Sequence, residues 1–143
     1  MKDSPVLRQW VTEIVDKYYK QIGVNRYPNI YYSVEEMPSK FHCDCHTKEF
    51  NKYAGLCFVG KDRKHPHSIL LNLAKHTRYG EIENTIVEEM MHIRFPNLNH
   101  DDPDSARDFY TRLGMILMGK HYPKSVRKPK KWEDQMRIKK QKR

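Results

Sequence analysis

The stretch from Glu81 to Phe95 reads EIENTIVEEMMHIRF and holds the residues whose types and spacing best suit chemistry. Wound as a helix at about 100° per residue, it gathers Ile82, Ile86, Met90 and Ile93 on one face, widened by Val87 and Met91. Thr85, Glu88, Glu89 and His92 then form a polar stripe on the opposite side. Glu88 and His92 stand at i and i+4, so their side chains converge. Eight residues beyond His92 comes His100, in the loop Phe-Pro-Asn-Leu-Asn-His that leaves the helix. A chain turning back after Pro96 could carry His100 over the same face. Two imidazoles and one carboxylate are a ligand set of catalytic zinc sites, which keep a fourth position for water. On this reading Glu88, His92 and His100 hold one zinc ion. Glu89 is then the base that takes the water's proton. Asp101, Asp102 and Asp104 are alternative third ligands, and without any third ligand the stripe is a solvated helix face. The Glu-x-x-His step of Glu89 and His92 also occurs in di-iron bundles, but those need two such steps and two further Glu, and the strands of this chain argue against a bundle.

The elements that must position these residues read as an α+β domain. Residues 4–22 predict a helix, capped by Ser4, opened by Pro5 and stopped by Gly23, with Val6, Trp10, Ile14, Tyr18 and Ile22 as its apolar stripe. Residues 29–34, 53–59 and 68–73 are short and β-rich, which predicts a sheet of about three strands. A helix from about Gly80 to Arg94 ends before Pro96, and a last one starts near Asp104 or Ser105 and carries Phe109, Leu113, Ile116 and Leu117 on one side. The polar stretch 35–52 has no dominant period.

The string Val87 to His100, VEEMMHIRFPNLNH, resembles the active-site segment of the small SprT-like, YgjP-like and minigluzincin zinc metallopeptidases. Their pattern is His-Glu-x-x-His on a helix followed by a third ligand such as an Asn-His histidine. The resemblance spans roughly residues 4–118, because the order of helix, short strands and metal helix is similar. Its specific part is residues 87–100. It implies that Glu89 matches the family's catalytic glutamate, His92 its second metal histidine and His100 its third ligand, and that the substrate is a peptide or protein. The chain departs from the pattern at Glu88, which stands where the family has its first histidine, and in a longer step from His92 to His100. A carboxylate can ligate zinc, but its added negative charge makes bound water less acidic.

Three cysteines in a chain without a secretion signal predict reduced thiols. Cys43, Cys45 and His46, with Cys57 later, could assemble a second, structural zinc site, although the spacing is not Cys-x-x-Cys. Cys57, between Leu56 and Phe58 in a strand, reads rather as a small core residue. His65, His67, His76 and His121 stand among polar residues and are expected at the surface.

The chain has 143 residues, 27 Lys+Arg and 18 Asp+Glu, a formal net charge of +9. Residues 1–119 hold 16 of the basic and 16 of the acidic side chains, so the whole excess lies in residues 120–143. This predicts a neutral metallopeptidase-like domain over 1–119 and a basic tail over 120–143. Lys128, Lys130, Lys131, Arg137, Lys139 and Lys140 suit a phosphate backbone, and Trp132 suits stacking on an unpaired base, of DNA or RNA. A solvated tail with no dedicated partner is the plainer alternative. No apolar run approaches the roughly 20 residues of a membrane helix. With no signal peptide at the N-terminus, a cytoplasmic protein is expected. The competing functional class is an inactive metallopeptidase-fold protein acting as a nucleic-acid-binding or adaptor module.

Overall fold

Helix α1 runs over Pro5–Ile22, and its ends follow from its sequence. The Ser4 side chain accepts from the Leu7 N–H at 3.1 Å, and Gly23 closes the helix in the left-handed region at φ 92°. Its buried face is Leu7, Val11, Ile14, Val15, Tyr18 and Ile22. That corrects the stripe read from the sequence. Val6 is 74% exposed and Trp10 is only partly covered, because the face with more branched aliphatic side chains is the one turned inward.

The computed structural model describes residues 1–38 and 44–118, and residues 44–47 by their backbone alone. After α1 come β1 (Asn29–Tyr31), α2 (Asp44–Lys52), β2 (Gly55–Phe58), β3 (Ser68–Leu71), α3 (Tyr79–Arg94) and α4 (Pro103–Leu117). The sheet order is β1-β3-β2, with β1 parallel and β2 antiparallel to β3. The central β3 is buried at all four positions, the polar Ser68 included, and β2 lies at an edge. The α+β class is as expected, but every strand is shorter than its β-rich run. The Glu36 carboxylate accepts from the Tyr32 N–H at 2.7 Å and turns the chain out of β1 into a 3₁₀ turn at Val34–Glu36. The Asn72 side chain ends β3 in the same way, by accepting from the Ala74 N–H at 3.1 Å. The unassigned stretch 35–52 contains α2.

The main core lies where α1, α3 and α4 meet one face of the sheet; Val15, Ile22, Ile69, Ile86, Met90 and Phe109 are among its fully covered members. Among the described residues no helix is long and apolar enough to cross a membrane. The basic tail, with Lys128, Lys130, Lys131, Trp132, Arg137, Lys139 and Lys140, lies outside the described residues, as do Cys43, His121 and the side chains of Cys45 and His46.

Candidate metal centre

Helix α3 carries the polar stripe, and its start is fixed by Glu81. That carboxylate accepts from the Thr77 and Arg78 N–H groups at 2.8 and 2.9 Å, satisfying donors that a helix N-terminus leaves open. The stripe is not a fully solvated face: Glu89 is buried and Thr85, Glu88 and His92 are half-buried. It turns toward the edge strand β2 and lines a cavity of about 330 Å³ with residues 53–56 on one side and Thr85, Glu88, Glu89, His92 and His100 on the other. Close approach is possible because β2 begins with glycine. A Cβ on Gly55 would stand 2.7 Å from Thr85 Cγ2 and 3.2 Å from Glu89 Cγ. Glu89 is only 9% exposed as a result.

The loop after α3 does what the spacing allows. His100 returns over the helix until its Nε2 lies 2.9 Å from His92 Nε2. Asp101, Asp102 and Asp104 do not line the cavity. The Asp102 carboxylate caps α4, accepting from the Ser105 N–H at 3.1 Å, and Asp104 lies 3.9 Å from Arg107. Of the alternatives for a third ligand, only His100 is brought to the pair. Both rings are held from α4: Phe109 stacks on His92 at 4.4 Å and meets His100 edge-on at 5.0 Å, and the Tyr110 hydroxyl lies 3.0 Å from His100 Nδ1.

Electrostatics follow from this packing. Burial, and then the neighbouring Glu88 charge, pushes the Glu89 carboxyl up to about 7. Burial also raises Glu88, opposed by the nearby His100. The His92 imidazole is pushed down to about 4 by burial and then by His100, against a hydrogen bond to the Leu98 backbone that favours its charged form. A proton acceptor tuned near neutrality beside a neutral imidazole is an arrangement suited to acid–base chemistry.

Among the described residues no group of three His, Cys, Asp or Glu side chains stands arranged to hold a metal ion. The two imidazoles nonetheless lie near the spacing that one ion requires. Two imidazole nitrogens on a tetrahedral zinc stand about 3.3 Å apart for bonds of about 2.05 Å. The observed 2.9 Å needs an opening of only a few tenths of an ångström. Glu88, one turn before His92, lines the same cavity.

The second cluster is not assembled within the described residues. Cys57 is half-buried against the main core, and its thiol is pushed up to about 12 by burial and the Glu89 charge, which is the behaviour of a core cysteine. Two histidines expected at the surface are buried, each 2% exposed. His67 Nδ1 accepts from the Gly60 N–H at 2.8 Å while its Nε2 meets Asn25 Oδ1 at 2.7 Å. His76 Nδ1 donates to the Asn72 carbonyl at 2.7 Å and Nε2 accepts from the Thr85 hydroxyl at 2.8 Å. Satisfied at both nitrogens, the rings lose little by leaving water, which polar sequence neighbours do not reveal. His65 stays exposed. Gly55, Thr85, Phe109 and Tyr110 shape the site without carrying any motif signal; the one hint was the small residue opening the strand nearest the polar stripe. The chain matches no family model, no curated protein and no solved structure, so the likeness of residues 87–100 to the small metallopeptidases rests on that motif and on the geometry around it.

Proposed function

We propose that residues 1–119 form a zinc-dependent metallopeptidase-like domain in which Glu88, His92 and His100 hold the ion and Glu89 is the general base. The observation that carries this reading is the 2.9 Å approach of His92 and His100 Nε2 in a cavity walled by Glu88 and Glu89. A bound zinc ion would supply Lewis acidity and a water acidic enough to attack a carbonyl near neutral pH. Glu89 takes the attacking water's proton and returns it to the leaving amine. Its burial keeps its proton affinity matched to that task, and Gly55 is what allows the carboxylate to sit so close beneath the strand. β2 borders the cavity with its outer edge unpaired by any strand among the described residues, so an extended peptide can add to it through main-chain hydrogen bonds. That supports a peptide or protein substrate.

A second reading is favoured by Glu88 itself. A carboxylate in place of a neutral histidine ligand weakens the Lewis acid, and the charge excess over residues 120–143 suits nucleic-acid phosphates, DNA or RNA. On this reading the domain is an inactive metallopeptidase-fold adaptor in the cytoplasm. Metal analysis and proteolysis separate the two. One zinc per chain, lost in His92→Ala, with hydrolysis abolished but zinc retained in Glu89→Gln, supports the peptidase. Zinc-loaded protein that cleaves no peptide library favours the adaptor. Wild-type protein that takes up no zinc refutes the metal centre. Glu88→His should raise zinc affinity and any hydrolysis.

A further inference from the structure

His100 is exposed and sits on a loop whose neighbouring polar groups serve α4: Asn99 Oδ1 accepts from the Asp101 and Asp102 N–H groups, and Asp102 caps the helix. Nothing within that loop sets the plane of the imidazole. The contacts that do so come from Phe109 and Tyr110, adjacent residues on α4. Phe109 is fully buried and touches both imidazoles, so it is part of the core. Tyr110 is 50% exposed, its ring tilted against His100 at 5.4 Å, with its hydroxyl 3.0 Å from Nδ1. A tyrosine at a half-exposed helix position gains little from burial, so the polar contact is its distinctive feature.

A phenol hydroxyl both donates and accepts, so it can satisfy Nδ1 in either neutral tautomer. With Nδ1 bare, the hydroxyl donates and the hydrogen on Nε2 points at His92, 2.9 Å away; this is the form the metal-free contact requires, because the neutral His92 ring gives its one hydrogen to the Leu98 backbone. With the hydrogen on Nδ1, the hydroxyl accepts it and Nε2 presents its lone pair to the cavity. Only the second form can bind a cation, and metal-binding histidines generally have such a partner on the far nitrogen.

We propose that Tyr110 is the positioning residue of this site, holding the His100 ring plane and meeting Nδ1 in both tautomers, so that Nε2 stays aimed into the cavity beside His92 and can exchange its hydrogen for a cation. The inference rests on the metal-centre reading, but the hydroxyl contact at Nδ1 is a property of the metal-free protein and can be read without an ion.

The test is Tyr110→Phe, which keeps the ring and removes the hydroxyl. Zinc affinity is measured by competition with a chromophoric chelator, the cobalt(II) absorption spectrum reports ligand geometry, and the His100 Nδ1 ¹⁵N shift reports the hydroxyl contact in metal-free protein. Expected are zinc binding weaker by about 10- to 100-fold, an altered cobalt spectrum, a changed Nδ1 shift and an unchanged melting temperature of the metal-free form. Equal zinc affinity in variant and wild type overturns the proposal. So does weaker binding with a matching loss of metal-free stability, which would give Tyr110 a merely structural role. If the wild type takes up no zinc, the metal centre itself is refuted. The ¹⁵N shifts then decide alone: an unchanged His100 Nδ1 shift overturns the positioning role, and a changed one upholds it.

Discussion

Gly55→Ala tests the close approach that builds the cavity. The new Cβ would stand 2.7 Å from Thr85 Cγ2 and 3.2 Å from Glu89 Cγ, both below ordinary contact. The threonine methyl has no easy escape, because turning it away would pull Oγ1 from its 2.8 Å bond to His76. Overpacking of this kind costs about 1–3 kcal/mol. Against it stands a gain of about 0.4–1 kcal/mol from a less flexible unfolded chain, since Gly55 does not have positive φ. The net loss should be about 1–2 kcal/mol, a fall in Tm of roughly 5–10 °C for a domain of this size. Thr85→Ser removes the clashing methyl and keeps the hydroxyl on His76. Alone it should cost about 0.8 kcal/mol for one buried methyl. Combined with Gly55→Ala it should recover most of the loss, a coupling of at least about 0.5 kcal/mol. Urea unfolding of the four proteins measures the cycle. A Gly55→Ala protein as stable as wild type, or two strictly additive substitutions, would refute the packing argument.

Three further outcomes follow from buried groups. Arg112 is fully buried and its Nε donates to Asp108 Oδ1 at 2.7 Å, so Asp108→Ala should cost about 3–5 kcal/mol. Replacing both by Met and Leu should cost far less, and equal losses in urea unfolding would contradict the ion-pair account. Cys57 should resist iodoacetamide in the folded protein near pH 8 and react after unfolding, because burial holds its thiol at about 12; rapid native labelling, read by peptide mass spectrometry, would disprove it. His67 is held below its usual value by burial and by Arg26, so the unfolded chain takes the proton first. Its contribution is complete above pH of about 6.5 and declines as pH falls below that value. The stability gap between wild type and His67→Gln should therefore narrow toward about pH 5, and a constant gap would rule this out.

Much of the domain is legible in the chain because its signals are local. Ser4, Pro5 and Gly23 define α1 through contacts within a few residues. The periodicity of residues 81–94 places Glu88, Glu89 and His92 on one stripe whatever surrounds the helix. Strand ends were less legible, because Glu36 and Asn72 end β1 and β3 through side-chain bonds that a β-rich run does not display.

What only the tertiary structure decided is where those faces point. The stripe looks the same in sequence whether it meets water or β2, and burial against Gly55 is what brings Glu89 to about 7. His100 and three aspartates follow one another within five residues, and α4 chose among them by drawing Asp102 into its cap and holding His100 with Phe109 and Tyr110. His67 and His76 were drawn inside because Gly60, Asn25, Asn72 and Thr85 met both nitrogens of each ring. Spacing along a helix is set by its own backbone, so the sequence alone determines it. Burial, ring orientation and proton affinity depend on groups far away in the chain, so they exist only once the elements have packed.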